Sequence, residues 1–366
     1  MQVPLVDLAA QYRSIQPEVD AAIQRVLDRT SFILGDEVTN FESAFAAYVQ
    51  AGGAVGVSSG TAAIELSLRA IGLRPGDEVI TTAHTFIATA EAISNAGGSP
   101  VFADIDPATF NLDPNQVESL VTERTRAILP VHLYGQPAEM PALMEIAQRR
   151  GLYLIEDAAQ AVGAEIDGRR CGSIGHLACF SFYPGKNLGA YGDAGAVTGG
   201  DADLLARIRR MRDHGRTTKY EHVEVGYAER IDALQAAVLA AKLPHLEAWT
   251  EARRSHAHRY GELLAGGPVQ PPVERAGVRH VYHLYVVRTP RRDALLEHLK
   301  ANGVSAGIHY PIPLHRQRAY AGLGYGELSL PETERAAAEV LSLPMYPELT
   351  DEQLQHIAAC VRSFDA

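Results

Sequence analysis

The stretch FSFYPGKNLGAYGDAG, from Phe180 to Gly195, decides how the rest of the sequence is interpreted. An apolar and aromatic run, Leu177 to Tyr183, precedes its single lysine and is typical of a β-strand. Pro184 and Gly185 end that strand, so we expect Lys186 on the loop that leaves it. No carboxylate lies within five residues of Lys186, and an ammonium buried without a partner has a lowered pKa. The segment therefore indicates either a free amine nucleophile, as Schiff-base chemistry requires, or a surface lysine in a glycine-rich loop.

Composition places the chain among globular proteins and excludes several classes. With 366 residues, 46% hydrophobic and 21% charged, the chain is predicted to form a large domain, residues 1–245 with an N-terminal helical arm, and a small one, residues 246–366. No apolar run approaches the roughly 20 residues of a membrane span, and no signal peptide is expected. The net charge of −11 argues against nucleic-acid binding. Three cysteines without metal-ligand spacing predict no metal site and fit a cytoplasmic protein.

Residues 54 to 155 alternate between short apolar runs and helical patterns. Strands are predicted at Ala54–Val57, Glu78–Thr81, Val101–Ala103, Ala127–Val131 and Tyr153–Ile155. This alternation predicts an α/β fold with a largely parallel sheet covered by helices on both faces. Ligands of such sheets bind beyond the carboxyl ends of the strands, so the residues that follow the strands are expected to form one site.

The residues that follow these strands suit a single cofactor. Ser59-Gly60-Thr61 opens a helix and would either bind a phosphate or form an ordinary N-cap. Phe86 would either stack on a ligand or belong to the core. Asp157 ends a buried strand, where a carboxylate is more often functional than structural. Together with Ser181 and Lys186 they predict a pyridoxal phosphate site, in which the lysine binds the cofactor and the carboxylate keeps the ring nitrogen protonated.

Two other cofactor motifs do not fit this stretch. Gly189, Gly192 and Gly195 have the spacing GxxGxxG, whereas dinucleotide-binding loops read GxGxxG. A Walker A loop needs Ser or Thr after its lysine, and this chain has Asn187 there.

Two later segments are candidates for substrate contacts. Six basic residues occur between 207 and 219; the first four indicate the solvated face of a helix, whereas Arg216 and Lys219 follow Gly215 and are better placed to hold an anion. From about residue 279 a compact αβ unit is predicted, with strands at 283–287 and 303–307 and a helix over 332–341. Within it Gly307–Tyr320, rich in His, Tyr and Pro, is interpreted as a substrate-facing loop.

Several segments together resemble the sugar aminotransferases of the DegT/DnrJ/EryC1/StrS family: SSGTAA at 58–63, GDEVITTAHTFIATA at 76–90, PVHLYGQ at 130–136, IEDAAQA at 155–161, SFYPGKNLGAYGDAGA at 181–196 and ERIDALQAA at 229–237. The resemblance implies fold type I of the pyridoxal-phosphate enzymes, which is the aspartate-aminotransferase fold, and a homodimer with shared active sites. The implied reaction moves an amino group from L-glutamate, through the pyridoxamine phosphate form of the cofactor, to a keto sugar linked to dTDP or UDP.

The resemblance also implies roles by position. Lys186 would form the Schiff base and Asp157 would pair with the ring nitrogen. The other cofactor contacts would come from Gly60, Thr61, Phe86, Gln160 and Ser181. The nucleotide sugar would be contacted by Tyr183, Lys219, Arg230, His309 and Tyr310.

The chain departs from the family pattern at Gly226-Tyr227-Ala228-Glu229-Arg230, where the family commonly reads GxNxR. The usual Asn reaches across the dimer to the cofactor phosphate, and Ala228 cannot donate that hydrogen bond, so we expect a substitute contact or weaker cofactor binding. Ala194 replaces a usual glycine. HLYG at 132–135 and IHYPIPLH at 308–315 favour a 3-keto sugar. The alternatives are a 4-keto-sugar aminotransferase and a protein of the same fold that only binds or regulates.

Overall fold

The computed structural model describes residues 1–365. Its helices are α1 Leu8–Arg29, α2 Asp36–Tyr48, α3 Gly60–Ala70, α4 Ala88–Asn95, α5 Pro114–Val117, α6 Met140–Arg150, α7 Ala202–Met211, α8 Ala233–Lys242, α9 Leu246–Leu264, α10 Arg292–Ala301, α11 Pro331–Glu339 and α12 Asp351–Arg362. Its strands are β1 Gly53–Val57, β2 Glu78–Thr82, β3 Ser99–Ala103, β4 Thr125–Ile128, β5 Tyr153–Asp157, β6 Glu165–Ile166, β7 Arg169–Arg170, β8 Leu177–Ser181, β9 Gly195–Gly199, β10 Val278–Arg279, β11 Tyr285–Arg288 and β12 Val340–Leu343. Across these described residues, no helix is both long and apolar enough to cross a membrane.

Seven strands form the central sheet in the order β1-β9-β8-β5-β4-β2-β3. The pairs from β8 to β3 are parallel, whereas β9 pairs antiparallel with both β1 and β8. The predicted α/β fold with a largely parallel sheet is thus confirmed. β9 was not predicted, because its five residues GAVTG include two glycines and give no alternating pattern.

β8, which leads to Lys186, is buried on both faces of the sheet. Ala178 and Phe180 pack in the core beneath α2 and α8, whereas Leu177 and Cys179 pack in the core beneath α3. This alternation follows from the two-residue period of a strand. The ring of Phe180 lies 5.0 Å from that of Phe45 on α2, in an edge-to-face contact. The strand end that precedes the lysine is therefore fixed by dense packing.

The C-terminal residues build a second core around the antiparallel pair β11–β12, together with α9, α10 and α12. Val3 of the N-terminal segment belongs to this core and bridges to Val304. The predicted strand at 303–307 was wrong: only isolated bridges form there, at Val304 and Gly307. The predicted helix over 332–341 ends at Glu339, because Val340 and Leu341 are recruited into β12.

Candidate active site

A cavity of about 570 Å³ opens between the central sheet and the C-terminal unit, which is the part of the chain built around β11 and β12 with α9, α10 and α12. The predicted site residues that line it are Gly60, Thr61, Phe86, Asp157, Gln160, Ser181, Tyr183, Lys186, His309 and Tyr310. They lie at or just beyond the carboxyl ends of β1, β2, β5 and β8, and in the segment between α10 and α11. Lys219 and Arg230 lie outside this cavity.

The N-terminus of α3 forms one end of the cavity. Ser59 caps the helix, with its Oγ accepting from Ala62 N at 3.1 Å and its carbonyl oxygen accepting from Ala63 N at 3.0 Å. The N–H groups of Gly60 and Thr61 are then the first-turn donors that a ligand can take. A Cβ on Gly60 would lie 2.7 Å from the Cβ of Ser181, so only glycine allows the helix to approach β8 this closely. The result is a cradle suited to a phosphate.

Lys186 sits on a tight turn after β8. Its N–H donates to Tyr183 O at 2.8 Å, and Ala190 N–H donates to Phe182 O at 2.7 Å. Gly189 packs so closely on the carbonyl of Pro184 that no side chain fits there. Burial lowers the pKa of Lys186 to about 8, and the carboxylate of Asp157 opposes this shift. A substantial fraction of this amine is thus neutral near physiological pH and available as a nucleophile.

Asp157 faces the same cavity from the end of β5. Its Oδ2 accepts from the hydroxyl of Thr89 at 2.8 Å and its Oδ1 from Ala159 N at 3.2 Å. Burial raises the pKa of Asp157, an effect opposed first by Thr89 and then by the Ala159 N–H and Lys186. Each carboxylate oxygen retains capacity for another donor.

Glu156, the preceding residue, points to the other side of the strand. With His132 and Cys171 it forms a buried group whose ligand atoms lie within 4.8 Å of one another. His132 Nε2 lies 2.9 Å from Glu156 Oε2, and its Nδ1 accepts from Ala138 N. Glu156 also accepts three backbone N–H groups of residues 172–175. Burial raises its pKa, but His132 and these N–H groups outweigh burial, so the pKa of Glu156 is lowered overall. These bonds use the available ligand atoms of both side chains, so the group is a structural network.

Gln160, Tyr310 and Phe86 form the opposite wall. Gln160 Oε1 accepts from Tyr134 N at 2.6 Å, and its Nε2 donates to the hydroxyl of Tyr310 at 3.1 Å. The Tyr310 ring lies 5.8 Å from the ring of Phe86, whose side chain is more than half exposed. His309 Nδ1 lies 2.8 Å from Ser342 Oγ, which orients the ring. Phe86 thus presents an aromatic face to the cavity.

Sequence reasoning missed several residues that line the cavity, among them Thr89, His283, Leu5 and Val6. Thr89 follows Phe86 by about one helical turn, so helical spacing offered a signal for it. His283 Nδ1 lies 3.3 Å from the Oδ1 of Asn187, and burial followed by the charge of Lys186 holds the pKa of His283 well below its usual value. No local pattern places the N-terminal segment or His283 here, because both arrive through long-range packing.

Lys219 and Arg230 both belong to the segment 213–230, and neither lines the cavity that contains Lys186. Lys219 is exposed, with its Nζ 5.3 Å from the ring centre of Tyr220, and it lines a separate, open groove of about 1430 Å³. Arg230 pairs with Asp213 at 2.7 Å, and Arg216 pairs with the same carboxylate at 2.6 Å. Within this chain, therefore, neither predicted contact reaches the other site residues.

The structure places a lysine amine, a buried carboxylate, an aromatic face and an anion-binding helix end around one cavity at the strand ends of a seven-stranded sheet. The cradle at Gly60 fits a phosphate, and the Lys186 amine fits an aldehyde. This combination defines a pyridoxal-phosphate enzyme of fold type I.

The comparisons with known proteins are specific. Residues 13–362 match the model of the DegT/DnrJ/EryC1/StrS aminotransferase family, and the chain belongs to that family. It is 50% identical to the "pleiotropic regulatory protein" of Geobacillus stearothermophilus, over 100% of this chain and 99% of the relative. It is 48% identical to the "dTDP-3-amino-3,4,6-trideoxy-alpha-D-glucose transaminase" of Streptomyces venezuelae, over 99% and 96%. The crystal structure of S. venezuelae DesV in complex with a ketimine intermediate, 48% identical, superimposes with a TM-score of 0.97 over 99% of this chain and 98% of that one.

Proposed function

We propose that this protein transfers the amino group of L-glutamate to the 3-keto group of a nucleotide-linked deoxysugar. The observation that carries the proposal is the shared cavity of Lys186, Asp157 and the cradle at Gly60. The family is one of aminotransferases, and its cofactor is pyridoxal 5′-phosphate. The Streptomyces relative, named for a 3-amino sugar, supports both the nucleotide-sugar substrate and the 3-position.

In this proposal the N–H groups of Gly60 and Thr61, together with Ser181, would hold the cofactor phosphate. Phe86 would pack against one face of the ring, Asp157 would accept a hydrogen bond from the ring nitrogen, and Gln160 would contact the ring hydroxyl. When bound, pyridoxal phosphate supplies an aldehyde that exchanges amino groups and a ring that stabilises negative charge at the substrate carbon.

Lys186 has two tasks that its lowered pKa serves. As a neutral amine it would bond to the aldehyde carbon of the cofactor and release that bond to the amino group of the donor. Once free, the same amine would accept a proton from the substrate carbon as general base and donate it, as general acid, to the aldehyde carbon of the cofactor on the other side of the shared nitrogen. A pKa of about 8 lies close to the working pH, where proton transfer in both directions is efficient.

The small number of cationic side chains in the cavity supports a homodimer with shared sites. Both L-glutamate and a nucleotide sugar are anionic, yet Lys186 is the only lysine or arginine among the described residues that line the cavity. His309 also lines it, and burial lowers the pKa of His309 to about 4, so this ring is neutral. We infer that Lys219 and Arg230 of a second copy reach the cavity, where Tyr183, His309 and Tyr310 contact the sugar.

We also infer a cytoplasmic location. The three cysteines, Cys171, Cys179 and Cys360, are free and buried, as thiols of a reducing compartment are expected to be.

A second candidate function is binding or regulation without catalysis. The name of the Geobacillus relative favours it, but Lys186 and Asp157 would then have no chemical task. A 4-keto-sugar aminotransferase is the alternative within catalysis.

The visible absorption spectrum of the purified protein, before and after L-glutamate, tests the proposal first. A lysine-linked cofactor gives a visible band, and glutamate should bleach it as the pyridoxamine form accumulates; Lys186→Arg should lose both the band and turnover. Incubation with dTDP- or UDP-linked 3-keto and 4-keto sugars, followed by mass spectrometry of the amino product, assigns the acceptor. A protein that stays colourless with added pyridoxal phosphate would refute the function.

A further inference from the structure

The turn that carries Lys186 is fastened to α8 at two points. Gln235 Oε1 accepts from Tyr191 N at 2.8 Å, near the start of the helix. Lys242, the last residue of the helix, donates from its Nζ to the carbonyl oxygen of Gly189 at 2.7 Å. Gly189 is three residues from Lys186, so this hydrogen bond acts directly on the turn that presents the amine.

Lys242 is an unusual residue to find at this position. It is only 1% exposed, and its Nζ lies 4.2 Å from the ring centre of Tyr191. Burial lowers the pKa of Lys242 to about 8, and the carboxylate of Glu348 opposes that shift. A buried charge of this kind rarely increases stability, because an apolar side chain of similar volume avoids the cost of desolvation. Stability alone therefore does not account for a lysine here.

A carboxylate of the C-terminal unit, that of Glu348, acts on Lys242 through its charge. Glu348 lies between β12 and α12, and both of its carboxylate oxygens are buried and accept no hydrogen bond from another described residue. Burial raises the pKa of Glu348; its own backbone N–H, Arg253 and Lys242 oppose the shift, whereas Asp7 adds to it. Arg253 and Lys242 are thus the cations whose charges partly offset the burial of this carboxylate.

We propose that Lys242 is a positioning residue of the transamination site: its ammonium holds the carbonyl of Gly189, and with it the turn that carries Lys186, in place against the end of α8. The proposal rests on the proposed function, because it concerns where the reacting amine of that function is held. Loss of the ammonium frees the Gly189 carbonyl and lets the turn shift, and a misplacement of about 1 Å at a reacting group lowers the rate by on the order of 100-fold.

The test compares the holoenzymes of Lys242→Met and Lys300→Met with the wild type. Lys242→Met keeps the aliphatic stem and removes the ammonium, whereas Lys300 is exposed on α10 and controls for the chemical change itself. In Lys242→Met we expect kcat of the glutamate half-reaction to fall about 10- to 100-fold, with KM changed less than about threefold. We also expect the pH midpoint of the visible band to shift and, in the apoprotein, amide hydrogen exchange to rise within residues 183–191. Lys300→Met should match the wild type.

Lys242→Arg serves as the conservative variant and should recover the pH midpoint, because it restores a cationic donor. A folded Lys242→Met with wild-type kcat, band midpoint and exchange would overturn the proposal. If that variant does not fold, Glu348→Gln removes the carboxylate whose charge favours the ammonium form of Lys242. This variant should shift the midpoint of the visible band, and an unchanged midpoint would also overturn the proposal. Absence of a visible band in the wild type would refute the proposed function instead, so the two failures are distinguishable.

Discussion

Replacing Gly60 by alanine tests whether the N-terminus of α3 binds the cofactor phosphate. The added methyl carbon would lie 2.7 Å from the Cβ and 3.2 Å from the Cα of Ser181. Carbon atoms in contact prefer about 3.5–4.0 Å, so either the helix start or the end of β8 must move by roughly 1 Å. Gly60 and Ser181 are both proposed phosphate contacts, so this movement separates donors that have to act together.

The expected effect of Gly60→Ala has two parts, one on the stability of the apoprotein and one on cofactor binding. The clash exists with or without the cofactor, and overpacking of this kind lowers the free energy of unfolding of the apoprotein by about 1–3 kcal/mol. Binding is weakened separately, because a hydrogen bond to a charged group contributes about 1.5–3 kcal/mol. Loss of one such bond weakens cofactor affinity by about 10- to 150-fold, at tenfold per 1.4 kcal/mol.

The assay is a titration of the apoprotein with pyridoxal phosphate, followed by the visible band, with thermal unfolding measured in parallel. Gly200→Ala is the matched control, since no atom lies within 4 Å of the carbon that it adds and its backbone does not require glycine. A Gly60→Ala protein that binds the cofactor within about twofold of wild type would refute the assignment of the phosphate to this helix end.

Three further outcomes are expected. Asp157→Asn should retain the cofactor but turn over glutamate about 100-fold more slowly, because a neutral amide cannot keep the ring nitrogen protonated; wild-type single-turnover rates would contradict this. The rate of cofactor capture by the apoprotein should rise with pH and level off above about 8, since the neutral Lys186 amine reacts and burial lowers its pKa to about that value; a rise that continues toward its ordinary value of 10.5 would contradict the burial. Ala228→Asn should strengthen cofactor binding at least about 10-fold, measured by the same titration; unchanged affinity would mean that another group already supplies the contact.

The sequence predicted most strands of the central sheet well because their signal is local. Short apolar runs between turn residues identified β1, β2, β3, β4, β5 and β8 to within a few residues. The rule that ligands bind beyond strand ends then located Asp157 and Lys186 without any knowledge of distances. Residues that directly follow a strand were predicted to line one site, and in the structure they line the same cavity.

The remaining features depend on contacts between distant parts of the chain. Thr89 bonds to Asp157 from 68 residues away, and Lys242 bonds to Gly189 from 53 residues away. Neither pairing has a signature in its own segment: the helical spacing of Thr89 from Phe86 does not identify Asp157 as its partner, and Lys242 looks like a favourable cation at a helix C-terminus. Whether a side chain is buried beside a given carbonyl is decided by tertiary packing, which periodicity does not report.

Glu156 and Asp157 show what separates a structural acid from a functional one. Both are adjacent on β5 and both are buried, so neither residue type nor burial distinguishes them. Strand alternation sends them to opposite sides, and there the count of donors differs. Glu156 accepts from His132 Nε2 and three backbone N–H groups, which fills the roughly four lone-pair sites of a carboxylate. Asp157 accepts two and faces the cavity. Only the acid with unused acceptor capacity can take a hydrogen bond from a ligand, and that capacity is a property of the folded chain.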